Sequence, residues 1–177
     1  SMAAMIGGDE DSVRALAKQV DVDVANLNAP GQIVLSGSKE GIAAAVAGAK
    51  GSGLRMGKEL DVAGAYHSRL MRSAQDKLAK VLKEADFSEP AFPVISNVDA
   101  RQVEGADDIR QSLERQVTGS VLWSQSMELL LEAGHETFIE FGPKPVLAGL
   151  MNRIRKGTRV ISISDADSLK AAIAEFS

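Results

Sequence analysis

The apolar and polar positions of the first sixty residues change period from segment to segment. AAMIGG is a short apolar run that reads as a strand. DEDSVRALAKQV then places Val13, Leu16, Ala17 and Val20 at helical spacing, behind acidic residues that suit a helix N-terminus. DVANLN and QIVLSG lie on either side of Ala-Pro-Gly and read as two strands joined by a tight turn. Ser38 is placed to cap a second helix, SKEGIAAAVAGAK, which the glycines of GSG stop, and LRMGKELDV reads as a fourth strand.

Strand, helix, strand, strand, helix, strand is the order of a ferredoxin-like unit, and the pattern predicts one over residues 1–63. After that the helices lengthen. SRLMRSAQDKLAKVLKEA carries Leu70, Met71, Ala74, Leu78 and Leu82 on one face, which predicts an amphipathic helix starting directly after His67. FPVISNV, TFIEFG and RVISIS are predicted strands, and their apolar runs suggest burial on both faces. Between and after them ADDIRQSLERQV, SQSMELLLEAG, PVLAGLMNRIRKG and DADSLKAAIAEF are predicted helices. The alternation predicts a mostly parallel α/β sheet over residues 64–177, although three strands make a thin one.

Composition narrows the chemistry. A net charge of −4 with scattered Lys and Arg offers no basic field for nucleic acid. No run approaches ~18 apolar residues, and the start lacks a signal-peptide pattern, so a cytoplasmic protein without a membrane segment is expected. The absence of cysteine removes disulfides, thiolate metal sites and thiol nucleophiles. Two histidines remain for imidazole chemistry: His135, before a predicted strand, reads as an exposed loop residue, and His67 lies in Gly-Ala-Tyr-His-Ser. Taken alone, His67 reads more readily as a cap of the helix that begins at Ser68 than as a catalytic base.

Five segments in series resemble one family: NLNAPGQIVLSG, GAYHSRLM, PVISNVDA, RQVTGSVLWSQS and FIEFGPKPVLAGL. Their order and spacing are similar to those of the malonyl-CoA:acyl carrier protein transacylases of fatty-acid and polyketide synthesis. The resemblance implies a ferredoxin-like subdomain, followed by the C-terminal part of an α/β-hydrolase-like parallel-sheet domain. It also implies acyl transfer by a serine on a Gly-x-Ser-x-Gly elbow, with a histidine base. This sequence contains no Gly-x-Ser-x-Gly, so it resembles the C-terminal portion of such an enzyme, one that is expected to be inactive alone.

By the same resemblance, His67 stands at the catalytic histidine. Gln116 supplies the backbone carbonyl that accepts from its other ring nitrogen. Asn26, Asn28 and Gln32 face a cleft where amides bond the pantetheine or acyl group, although Asn and Gly also suit a hairpin turn. Arg55, with Lys58, stands near cations for the CoA phosphates, against the plainer reading of a solvated strand end. Tyr66 stands where an aromatic ring narrows the acyl pocket. Ser68 and Ser96 sit on no elbow and read as a helix cap and a strand-end hydroxyl. The family more often shows Gly-Pro-Gly where this chain has Gly142-Pro143-Lys144-Pro145. The implied partners are acyl carrier protein, a CoA thioester and the missing N-terminal half of the enzyme, with no metal or redox cofactor. A non-catalytic module that binds carrier protein or CoA is the alternative.

Overall fold

Two side-chain caps and one turn decide where the first elements begin and end. In the computed structural model, which describes residues 1–176, strand β1 (Met2–Ile6) is followed by helix α1 (Glu10–Gln19) and strands β2 (Asp23–Ala29) and β3 (Gln32–Ser36). Helix α2 (Lys39–Gly48) and strand β4 (Met56–Glu59) complete this part. Asp9 caps α1 by accepting from the Ser12 N–H at 2.7 Å, and Ser38 caps α2 by accepting from the Gly41 N–H at 3.0 Å. Each takes up an amide proton that a helix start leaves without a partner. Pro30 and Gly31 alone join β2 to β3, with Gly31 at φ 70°, and Ala29 pairs directly with Gln32.

The strands form one antiparallel sheet in the order β2-β3-β1-β4. Ala3, Met5, Leu27, Ile33 and Leu35 alternate onto one face, where they pack against Val13, Leu16 and Ala17 of α1 and Ile42 and Ala45 of α2. Met2 and Val34, one position out of that register, form a smaller apolar cluster with Ala25. Register shifts in β2 leave Ala25 and Asn28 without opposite partners in β3. The outer edge of β2 is covered, because the Leu27 N–H donates to the Val121 carbonyl at 2.9 Å and the Val121 N–H to the Ala25 carbonyl at 2.8 Å.

The helix predicted to start at Ser68 begins later. The buried Ser68 hydroxyl donates to the Ala65 carbonyl at 2.6 Å and accepts from the Leu70 N–H at 3.3 Å. That closes a 3₁₀ turn, Arg69–Met71, and α-helical geometry takes over only in α3 (Arg72–Glu84). The strand predicted in FPVISNV shrinks to β5 (Ile95–Ser96), paired antiparallel with β6 (Arg101–Gln102) through a turn holding Ala100 at φ 49°. Val94 is 41% exposed, so the predicted two-sided burial is not found there. Helix α4 (Gly105–Gln116) is fastened to α3 by Arg110, whose Nε donates to the Leu82 carbonyl at 2.8 Å while its guanidinium lies 5.0 Å from the Phe87 ring centre. Helix α5 spans Trp123–Glu132.

The chain divides into two compact units, Ser1–Ser126 and a second from Met127 onward. In the second, strands β7 (Thr137–Phe141) and β8 (Arg159–Ile163) pair in parallel, with helix α6 (Val146–Ile154) as the crossover and α7 (Ala166–Phe176) after β8. Phe141 is 74% exposed, so these apolar strands, too, lack the two-sided cover predicted for them. Among the described residues no helix is long and apolar enough to cross a membrane.

Glu140 of β7 is the buried polar anchor of this unit. Its carboxylate accepts from the Leu147 and Ala148 N–H groups at 2.7 and 3.1 Å, at the start of α6, and from the Ser162 hydroxyl at 3.0 Å. Burial pushes this carboxyl up, but the hydrogen bonds outweigh it and hold it below its ordinary 4.5. A depressed carboxyl contributes stability above its unfolded value and loses it as the pH falls through the folded one. The urea midpoint is therefore expected to drop as pH falls from 5 toward 3, and Glu140→Gln is expected to start lower at pH 7 and flatten that drop.

Candidate active site

His67 sits in backbone that a side chain seldom adopts, at φ 56°. Left-handed geometry in a non-glycine residue costs about 1–3 kcal/mol and persists where neighbours over-determine it. Here Ser68 ties the loop to Ala65 on one side. On the other, the Arg69 N–H donates to Asp23 Oδ2 at 2.8 Å, and the Arg69 guanidinium donates to the Asp21 carbonyl at 2.7 Å.

The ring meets the end of α4. His67 Nδ1 stands 3.0 Å from the Gln116 carbonyl oxygen, one of the last helix carbonyls that has no partner within the helix. Gln116 Nε2 is 3.4 Å from the same nitrogen, but donates to the Gly119 carbonyl at 3.0 Å. With the amide so engaged and the carbonyl nearer, the hydrogen-bond network assigns the ring proton to Nδ1 and leaves a lone pair on Nε2. Such an imidazole can take a proton from a hydroxyl or thiol. The neighbouring hydroxyls are engaged elsewhere: Thr118 donates to Gln75 Oε1 at 2.7 Å and Ser120 to the Val24 carbonyl at 2.6 Å.

A cleft of about 360 Å³ opens beside the ring, lined by Arg14, Asp23, Arg69, Arg72, Thr118 and Ser120 among others. Of the residues singled out from sequence, His67 alone lines it. Asn26, Asn28 and Gln32 are half-buried on the β2–β3 hairpin. Arg55 and Lys58 are exposed at the opposite edge of the sheet, where Lys58 pairs with Ala4 and Gly57 packs toward Val46 and Ala49. Tyr66 is 42% exposed, its ring beside Gly64. The structure therefore brings His67 and Gln116 together and spreads the other candidates over the sheet and its margins. Sequence reasoning missed Asp23 and Arg69, which hold the His67 loop, and Thr118 and Gly119, which hold the turn after Gln116; the readable signal was a glycine just past the end of a helix in RQVTG.

The chain belongs to the acyl transferase domain family, whose profile matches residues 1–172. Its relatives include the malonyl CoA-acyl carrier protein transacylase of Bacillus subtilis, 37% identical over 178 residues, with 98% of this chain and 56% of the relative covered. The polyketide biosynthesis malonyl CoA-acyl carrier protein transacylase of the same organism is 41% identical over 159 residues, covering 88% of this chain and 55% of the relative. A solved structure of a malonyl-transacylase in complex with its type II polyketide acyl-carrier protein matches with a TM-score of 0.94 at 36% identity, over 98% of this chain and 58% of that one. The chain thus spans little more than half the length of these relatives.

Proposed function

We propose that this chain supplies the general base and a ferredoxin-like subdomain, residues 1–63, of a malonyl-CoA:acyl carrier protein transacylase. Residues 64–177 are then the C-terminal part of its α/β-hydrolase-like domain, working with a Gly-x-Ser-x-Gly segment that this sequence does not contain. The observation that carries the reading is the hydrogen bond from His67 Nδ1 to the Gln116 carbonyl, in a member of an acyl transferase family.

The proposed chemistry is ping-pong. His67 Nε2 takes the serine proton as the serine oxygen attacks the thioester carbonyl of malonyl-CoA. The tetrahedral intermediate expels the CoA thiolate, which takes that proton back from the imidazolium. In the second half the phosphopantetheine thiol of the carrier protein gives its proton to His67 and attacks the malonyl ester. The departing serine oxygen then recovers the proton. The end of α4 suits both steps, because its Gln116 carbonyl accepts from Nδ1 and leaves Nε2 as the nitrogen that exchanges the proton. Asn26, Asn28 and Gln32 would bond the pantetheine or acyl group, Arg55 the CoA phosphates, and Tyr66 would narrow the acyl pocket. No metal or redox cofactor enters this mechanism.

The test joins this chain to the part of the Bacillus subtilis relative that it does not cover, and measures malonyl transfer from malonyl-CoA to holo carrier protein. Transfer by the joined protein, and none by the 177-residue chain alone, is the expected result. A folded joined protein that binds carrier protein without labelling it would favour the non-catalytic module.

A further inference from the structure

The His67 ring nitrogen Nδ1 faces two groups of opposite demand, the Gln116 carbonyl at 3.0 Å and the Gln116 amide nitrogen at 3.4 Å. A displacement of the last turn of α4 that drew the carbonyl back and freed the amide from Gly119 would exchange them. The proton would then move to Nε2, and the ring could no longer accept one there. Whatever fixes that turn therefore fixes which nitrogen is basic.

We infer that Asp99 is a positioning residue for His67, acting through the last turn of α4; this rests on the reading of His67 as the base. Asp99 Oδ2 accepts from Arg115 Nη2 at 2.6 Å and from the buried Ser112 hydroxyl at 3.0 Å, and Arg115 Nη2 lies 3.3 Å from that hydroxyl. Residues 112 and 115 are one helical turn apart, and Gln116 follows directly. One carboxylate oxygen thus grips the turn that carries the carbonyl.

The grip has a rigid base. Asp99 precedes the tight turn at Ala100, where the Ala100 N–H donates to the Ser96 carbonyl at 2.8 Å. Two residues earlier the Asn97 carbonyl accepts from the Leu122 N–H at 2.7 Å. Arg101, the other cation nearby, is 4.0 Å from Asp99 but makes two bonds of 2.7 Å to Asp108, which leaves Asp99 to Arg115. The loop beyond the helix is held separately, by Thr118 on Gln75 and Ser120 on Val24. Asp99 is therefore an anchor of the last turn of α4, where Arg110 fastens the middle of the helix.

With two histidines in the chain, the imidazole nitrogens can be read directly by long-range ¹H–¹⁵N spectroscopy on the full chain, with the exposed His135 as internal reference. Wild type is expected to show His67 protonated on Nδ1. Asp99→Asn keeps the shape of the side chain and removes its charge, and the ratio of Nδ1-H to Nε2-H at His67 is expected to fall about tenfold, the weight of one charge-assisted hydrogen bond. His135 should not move. An unchanged His67 ratio in Asp99→Asn overturns the inference. Should that variant lose its folded spectrum, Ser112→Ala removes one bond to the same oxygen without changing charge, and a wild-type ratio there also overturns it. Wild-type His67 protonated on Nε2 would instead defeat the assignment of the base itself, which separates the two failures.

Discussion

Replacing His67 by asparagine in a complete domain, with this chain joined to a nucleophile-bearing segment, is expected to lower malonyl transfer by about 10²–10⁴-fold, the usual weight of a general base. Asparagine is the better substitution because position 67 lies at φ 56°, which Asn tolerates and most residues do not. The fold should be kept while the proton acceptor is lost. Alanine should show the same catalytic loss with an added destabilisation of about 1 kcal/mol from left-handed strain. If the base acts in the transition state of both half reactions, as proposed, kcat should carry the loss and KM for malonyl-CoA should change little. The rate of serine malonylation and its discharge to carrier protein should fall together. A variant that keeps more than about a tenth of the wild-type rate is incompatible with a general-base role of this size.

Gly119→Ala is expected to disturb the same corner from the other side. A Cβ at position 119 would meet the Arg115 carbonyl oxygen at 2.8 Å and Val98 Cγ2 at 2.6 Å. The valine methyl can shift, but the carbonyl belongs to the helix, and it already accepts from the Gly119 N–H at 2.8 Å. The turn must open, and with it goes the Gly119 carbonyl to which Gln116 Nε2 donates. Overpacking of this kind costs about 1–3 kcal/mol, read as a lower urea midpoint with an unchanged slope. In the joined enzyme it should also reduce malonyl transfer beyond what lost stability explains. A variant as stable and as active as wild type would mean that the turn after α4 has no part in holding the base.

The elements that rest on local chemistry were legible in the sequence. The Pro30-Gly31 turn, the Ser38 cap and the helical spacing of Val13, Leu16 and Ala17 depend on neighbours within a few residues, and a single strand of text carries them. Strand β6 was not legible: Arg101 and Gln102 show no apolar alternation and pair only because the chain reverses at Ala100. Nor was the 3₁₀ turn after His67, since the apolar periodicity of Leu70 and Met71 continues smoothly into α3 while Ser68 closes a tighter turn. The two-sided burial predicted for the apolar strands is not found, because an apolar run marks which positions can be buried and not what packs on them. Within the site, resemblance pointed to His67 and Gln116. The Asp99–Arg115 pair spans sixteen residues, and the backbone geometry at His67 leaves no compositional mark.

The most direct measurement is the intact mass of the 177-residue chain before and after malonyl-CoA, alone and mixed with a separately made Gly-x-Ser-x-Gly half. A base without its nucleophile predicts no adduct on this chain in either sample, and a malonyl adduct on the other polypeptide only in the mixture. A malonyl adduct on the 177-residue chain itself would contradict the account, because the acyl group would then have a nucleophile within this chain.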